Sequence, residues 1–411
     1  MTQSISSKPA NASADAVKFA YWVPNVSGGL VVSKIPQRTD WGLDYNIKLA
    51  QIAEAAGFEY ALSQIRFIGS YGAEYQHEST TFSTALLANT KRLTVIAAIL
   101  PGPWHPHVVA KLGASVDQLF GGRFAVNVVS GWFAGEYEAL GLPWLEHDER
   151  YRRSREFIEI IRGIWTTDNF NYKGHFYSAK DFTLKPKPLQ KPHPEIFQGG
   201  NSRAARENAG AVSDWYFMNG NTPDGHKAQI DDVKSIAARH NRNVKFGVNA
   251  FIIARETEKE AQDELRRIID QADTEAVNAF GGAVKQAGQA SPEKEGMWAQ
   301  STFNDLVQYN DGFKTNLIGT PEQIAERIVA LKRLGEQCLD NARDVPHQRR
   351  VGQGVGEVES RRNFETRQGG PQNRHIRIGT PDHDSDFTKG PARGRLLENT
   401  GRYLLHLVIH G

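Results

Sequence analysis

The chain has 411 residues with 49 basic and 47 acidic side chains, a formal charge of +2, so no long-range field marks it for nucleic acid or an anionic membrane surface. Hydrophobic residues make up 39% and aromatics 10%, enough for a substantial core, and the single cysteine, Cys338, excludes an intrachain disulfide or a thiolate metal cluster and fits a reducing, cytoplasmic setting. Residues 1–16 lack both a basic and an apolar region and read as a frayed leader, and no apolar run approaches the roughly 20 residues that cross a bilayer.

Short β-rich runs then alternate with helical stripes, the pattern of βαβ units and a parallel sheet. Strands are predicted at Phe19–Val23, Tyr60–Leu62, Leu93–Ile99 and Phe124–Val129, with helices over Asp44–Ala56, Thr81–Thr90 and His107–Leu119 between and around them. A helix over Arg150–Trp165 carries Phe157, Ile158, Ile160, Ile161 and Ile164 in one stripe. The aromatic, Gly-broken stretch 170–190 after it reads as an inserted hairpin. Strands at Glu195–Gln198, Trp215–Met218 and Phe246–Ile253 alternate with helices over Ser202–Ala211 and Gly225–His240.

Residues 256–315 are polar and helical in pattern, a length that marks a lid-like functional insertion. Thr320 caps a helix over Pro321–Leu334 with proline at its first position. The expected architecture is therefore α/β, one (β/α)8 barrel over residues 17–335 with insertions. An eighth strand should follow. From Glu336 the composition turns instead to Arg, Gly, Gln, Asp and Pro, so 336–411 is expected to be an atypical, largely disordered tail. The eighth strand and helix are then replaced or missing, leaving two unpaired edges. A substitute strand at Tyr403–Ile409 is the less favoured reading.

In such a barrel the chemistry gathers where strands end. Gly199 and Gly200 follow a strand and precede a helix opened by Asn201 and Ser202. Glycines let a phosphate approach the backbone, and free N–H groups and the helix dipole favour its charge, although a plain helix cap accounts for the same residues equally well. Trp22, Asn25, Trp104, Trp132 and Phe133 fall after successive strands and would form an apolar, uncharged cup for a small neutral substrate, although any one aromatic is more often core.

The runs FAYWVPNVSGGLV (19–31), YALSQIRF (60–67), AAILPGPW (97–104), FGGRFAVNVVSGWF (120–133), WLEHDERYRRSREF (144–157), KPHPEIFQGGNSRAA (191–205), SDWYFMNGN (213–221) and YNDGFKTNLIGTPEQIAERI (309–328) lie in one order. Together they resemble the dimethylsulfone monooxygenases of the bacterial luciferase-like class. The resemblance implies a two-component enzyme, a homodimer or homotetramer, that binds FMN as FMNH2 from a separate NAD(P)H-dependent flavin reductase. With O2 it would cleave dimethylsulfone, a small neutral organosulfur substrate, to methanesulfinate and formaldehyde.

Carried onto this sequence, the resemblance places the flavin phosphate at Gly199, Gly200, Asn201 and Ser202 and sets His147 and Tyr151 against the flavin. Ser63, Gln64, Ala98, Asn127 and Ser130 would meet the ribityl chain or the isoalloxazine. Glu149 and Arg150 read as an ion pair or a capping pair. Alkanesulfonate monooxygenases carry a basic residue and a histidine where this chain has Asn249 and Phe251, a difference that favours a neutral substrate over a sulfonate. Oxidation of alkanesulfonates or other small organosulfur compounds, use of deazaflavin F420, and a flavin-binding barrel without activity are the alternatives. No HExxH, GxSxG or Rossmann fingerprint points to metal, nucleophilic or dinucleotide chemistry, and no general acid or base stands out.

Overall fold

The computed structural model describes residues 17–340 apart from Arg38 and Ser70, together with the strand 403–410. Four strand–helix units open the chain: β1 (Lys18–Val23), α1 (Leu43–Ala56), β2 (Tyr60–Ser63), α2 (Ser79–Ala88), β3 (Thr94–Ile99), α3 (Pro106–Leu119) and β4 (Phe124–Val128), followed by the short α4 (Ala134–Ala139) and the long α5 (His147–Thr166). The β5 (Phe170–Lys173) and β6 (Ser178–Phe182) strands pair antiparallel as a separate hairpin. Next come β7 (Ile196–Gly199), α6 (Arg203–Val212), β8 (Trp215–Met218), α7 (Pro223–Arg239) and β9 (Lys245–Ala254). The long segment beyond β9 folds as α8 (Glu258–Asp270), α9 (Thr274–Gln289) and α10 (Phe303–Leu306), with a 3-10 turn at Gly312–Thr315. It leads into β10 (Ile318–Gly319) and α11 (Pro321–Asp340), and β11 (Tyr403–His410) is the last element.

Seven strands, β1, β2, β3, β4, β7, β8 and β9, are neighbours in that order and run parallel. Their alternation sorts two cores. Tyr21, Val23, Ala61, Val95, Ala97, Val126 and Val128 face outward to the helices, where Phe157, Ile161 and Trp165 of α5 meet them. Ala20, Tyr60, Leu62, Ile96, Ala125, Phe197, Trp215 and Phe217 fill the interior. Phe197 stacks on Trp215 at 4.8 Å and Tyr60 meets both edge-on, which plugs the barrel below the strand ends. Strands covered on both faces read as unbroken apolar runs, and this is why all seven were visible in the sequence.

The expectation of two open edges is corrected by β11. It enters antiparallel between β9 and β1, with Leu407 opposite both Ala250 and Tyr21, and so closes an eight-membered ring. YLLHLVIH is apolar, β-rich and eight residues long, enough to cover both exposed ladders. It is the substitute strand read at Tyr403–Ile409, which the polar composition of 336–411 as a whole had made the less favoured reading. The helix α11 also runs on past Leu334 to Asp340. Residues 1–16 and 341–402, assigned to the leader and the tail, lie outside the described residues.

Candidate active site

Loops at the C-terminal ends of the strands enclose about 1140 Å³ of empty space, open mouth included. Trp22 of β1, Ser63, Gln64 and Arg66 at and after β2, Ala98 of β3 and Asn127 of β4 line it, and Ser130, Gly131 and Trp132 continue that wall. Gly199, Gly200, Phe217 and Asn219 come from the ends of β7 and β8. Phe280 of α9 with Met297, Trp298, Tyr309 and Asn310 come from the long insertion.

The β7 wall is built for close approach. Gly200 has φ +128°, and a Cβ there would sit 2.6 Å from Tyr151 Oη and 2.7 Å from Ala205 Cβ; at Gly199 it would sit 3.0 Å from the Phe217 carbonyl oxygen. Tyr216 Oη donates to the Gly200 carbonyl at 2.7 Å. The buried Gln198 is held by Asn208 Nδ2 and Ser213 Oγ, which donate to its Oε1 at 3.1 and 3.2 Å. Ser202 is the N-cap of α6, its Oγ accepting from Ala205 N at 3.3 Å, and it hydrogen-bonds the Tyr151 hydroxyl. Burial raises the Tyr151 pKa above the ordinary phenol value, so the hydroxyl stays protonated and able to donate.

Along the floor, Asn127 Oδ1 and Asn219 Nδ2 are buried without a hydrogen-bond partner among the described residues, as is Asn201 Oδ1 beside the glycines. Ser130 Oγ accepts from Ser154 Oγ at 2.9 Å, and Ala98 N donates to Ser79 Oγ at 2.9 Å. The Ser63 hydroxyl lies 2.8 Å from Ser79 Oγ and 2.6 Å from Ser83 Oγ, so it is held against α2.

The opposite wall is an aromatic box. Trp132 meets Trp298 at 5.7 Å and Phe280 at 5.9 Å, and Phe280 meets Tyr309 at 5.3 Å. Trp298, in a left-handed conformation at φ +64°, donates its Nε1–H to the Tyr309 carbonyl at 2.8 Å. The Asn310 carbonyl accepts from Asn249 Nδ2 at 2.9 Å and from Gly220 N at 3.0 Å, tying the insertion to β8 and β9. Beneath it, Asp311 is buried and takes Ser301 Oγ at 2.9 Å on both oxygens, and burial pushes its pKa up to about 6. Arg66 stacks on Trp132 with Cζ 4.9 Å from the ring centroid. It is the one charged side chain among the described residues of the lining.

The family model for luciferase-like monooxygenases matches residues 17–338. The chain belongs to the luciferase-like monooxygenase family. It is similar to the FMNH2-dependent dimethylsulfone monooxygenases of Pseudomonas fluorescens (strain Pf0-1) and Pseudomonas putida, each 70% identical over 323 residues, which is 79% of this chain and 88% and 89% of theirs. The solved long-chain alkane monooxygenase LadA superposes with a TM-score of 0.65 at 20% identity, over 77% of this chain and 84% of that one. DmoA from Hyphomicrobium sulfonivorans does so with a TM-score of 0.65 at 17% identity, over 78% and 82%. These two likenesses speak for the fold.

In this luciferase-like monooxygenase several of the sequence-predicted residues stand behind the cleft instead of in its lining. Asn25 spends its amide on the loop after β2, donating to the Gln64 and His77 carbonyls at 3.0 and 3.1 Å and accepting from Gln64 N at 3.3 Å. Trp104 packs against the outer core, Phe133 stacks behind Trp132 at 5.5 Å, and Phe251 packs edge-on against Phe313 at 5.1 Å. His147 is buried with its ring 5.1 Å from that of Tyr151, and Asn249 reaches the cleft only through Asn310. Ser202 and Asn201 lie one layer back at the glycine loop. Neither Asn249 nor Phe251 lines the cleft, so neither sets its preference against a sulfonate by direct contact.

Two further readings are corrected. Glu149 pairs with Arg152, whereas Arg150 is 2% exposed and stacks on Trp144 at 4.1 Å. The cup is not uncharged, because Arg66 is in its wall. Arg66 lies in the YALSQIRF run only two residues past Gln64, and Tyr309 and Asn310 open YNDGF, so a local signal existed for these three. Phe280, Met297 and Trp298 had none, because the insertion carries no strand to set their register.

Proposed function

We propose that this chain is an FMNH2-dependent dimethylsulfone monooxygenase. The observation that carries the reading is the polarity of the cleft, with the backbone of Gly199 and Gly200 beside the Tyr151 hydroxyl on one wall and an aromatic box on the other. The relatives' 70% identity supplies the substrate. Gly199, Gly200 and Tyr151 face the cleft, a Cβ at Gly200 would strike Tyr151 Oη and push it from its place, and the orphaned Asn127 and Asn219 atoms between the walls suit the hydroxyls of a ribityl chain, so the residues present fit FMN.

In this reading the backbone N–H groups of Gly199 and Gly200, the N-terminus of α6 and the Tyr151 hydroxyl hold the phosphate. Ser202 orients that hydroxyl, His147 supports the Tyr151 ring, and Asn201 borders the phosphate. Asn127 and Ser130 take the ribityl chain, and Ser63, Gln64 and Ala98 form the surface under the ring system. When bound, FMNH2 together with O2 supplies the oxygen atom and electrons for cleavage of a C–S bond. Trp22, Trp132, Phe280 and Trp298 exclude water and confine a substrate of a few heavy atoms, with residues 256–315 as the lid.

Reduced flavin comes from a separate NAD(P)H-dependent reductase, and the enzyme works in the cytoplasm as a homodimer or homotetramer. No helix among the described residues is long and apolar enough to cross a membrane. The test is single-turnover product analysis. Enzyme loaded anaerobically with FMNH2 and mixed with O2 should give methanesulfinate and formaldehyde from dimethylsulfone and little product from methanesulfonate. Preference for methanesulfonate, or no product from either, refutes it.

A further inference from the structure

Arg66 is a cation in a pocket proposed to hold a neutral substrate, and desolvating a guanidinium is costly unless something repays it. Burial does lower its pKa. Part of the compensation is the nearby Glu136 carboxylate, which favours the cation, and part is the stacking on Trp132, at 4.9 Å, and on Tyr71, at 5.9 Å. The loop that carries it is fixed on both sides. Asn25 clamps the backbone of Gln64, and Glu136 of α4 accepts from Phe67 N. Two buried polar side chains from other elements thus set the position of one arginine.

The flavin phosphate does not explain Arg66. In the ring of strands, β2 is separated from β7 by β3 and β4 on one side and by β8, β9, β11 and β1 on the other. Arg66 therefore follows a strand three positions from β7 around the eight-strand ring, and its stacking partners are Trp132 and Tyr71. The overall change of the proposed reaction does explain it. Dimethylsulfone, O2 and FMNH2 give methanesulfinate, formaldehyde, FMN, one water and one proton; the C–S bond breaks with its electron pair left on sulfur, so two neutral sulfonyl oxygens become those of an anion. A fixed guanidinium is worth most where charge develops, and its fork matches two oxygens on one centre.

We propose that Arg66 is the specificity-determining residue at the substrate end: it takes the sulfonyl oxygens and stabilises the negative charge that gathers on them as the sulfinate forms. The inference rests on the function proposed above. It also makes methanesulfinate a ligand of this site, and therefore a product inhibitor that competes with dimethylsulfone.

The test compares wild type, Arg66→Met and Arg66→Lys. With Arg66→Met, kcat should fall by about a hundredfold while KM for dimethylsulfone moves less than about threefold, because the ground state is neutral. The inhibition constant of sodium methanesulfinate should rise at least about tenfold, Arg66→Lys should fall between, and the Kd for FMNH2 should stay within about threefold. A role confined to bracing Trp132 and Tyr71 would instead move KM and the sulfinate constant together. An unchanged sulfinate constant, or a loss confined to FMNH2 affinity, overturns the proposal.

If Arg66→Met does not fold, Arg66→Lys against wild type carries the same comparison, with a sulfinate constant raised at least about threefold expected and an unchanged one contradicting. Titrating methanesulfinate into the anaerobic enzyme–FMNH2 complex separates the two readings. Wild type that binds sulfinate through Arg66 yet leaves dimethylsulfone unconverted refutes the function, and with it the charge-stabilising role of Arg66, and keeps only the sulfinate site, whereas turnover without Arg66-dependent sulfinate binding refutes this inference alone.

Discussion

Gly200 is the residue on which most of the cradle geometry converges. Gly200→Ala puts a methyl 2.6 Å from Tyr151 Oη in a backbone conformation that an L residue rarely adopts. The expected outcome is a Kd for FMNH2 raised at least about tenfold in an anaerobic fluorescence titration, roughly the loss of one charge-assisted hydrogen bond. Tyr151→Phe should raise it about five- to tenfold, while His147→Ala, which removes only a supporting ring, should do less. Equal losses at Tyr151 and His147 would say that both touch the flavin. Residues of this kind were visible in sequence where the signal is local, since strand–Gly–Gly–Asn–Ser–helix is a junction recognisable from its own residues. Arg66 has the same kind of local signal, two residues past Gln64 in one run, but a charge runs against the pattern of a neutral pocket.

Among elements, α7 and the 3-10 turn after α10 carry opposite responses to acid. His226 of α7 is fully buried, neither ring nitrogen has a partner among the described residues, and burial pushes its pKa down to about 4. The unfolded chain then binds more protons between about pH 4 and 6.5, so stability is present above 6.5 and lost as the pH falls toward 4. Asp311, raised to about 6 from 3.8, behaves in reverse: its contribution is present below 3.8 and lost as the pH rises through 6.

His226→Leu should flatten the acid limb of Tm against pH, by up to about 2 to 3 kcal/mol near pH 4. Asp311→Asn should raise Tm above pH 6 relative to pH 4, at some cost from the lost Lys314 contact at 3.6 Å. Parallel Tm–pH curves for either variant and wild type would remove the corresponding assignment. The elements themselves divide by how they are buried. The seven parallel strands are apolar runs, and α5 shows its stripe. The helices α8 and α9 supply Phe280 and the approach to Trp298, yet their long polar faces gave no indication of which turn meets the cleft.

For the whole molecule, closure of the barrel depends on β11, eight residues that pair at eight positions with β9 and at four with β1. Removing residues 403–411 should expose both edges, lowering Tm by roughly 10 °C or more, or driving aggregation visible by light scattering, since the lost ladder bonds sum to several kcal/mol. An unchanged Tm and a monodisperse truncated protein would mean that the seven parallel strands suffice. The barrel class could be read from strand–helix alternation, and the family motifs span most of it. Its closing strand showed only as the less favoured reading at Tyr403–Ile409, because it sits far along the chain in a polar stretch and runs against the other seven.

Function in this cleft depends on one orientation of the flavin, with its phosphate at β7 and its ring toward Arg66 and Trp132. A crystal structure of the FMN complex tests it most directly. It should place phosphate oxygens within hydrogen-bond distance of Tyr151 Oη and Gly200 N, with the ring edge beside the Trp132–Trp298 box. A phosphate seated at the Arg66 wall, or a flavin outside this cleft, would contradict it.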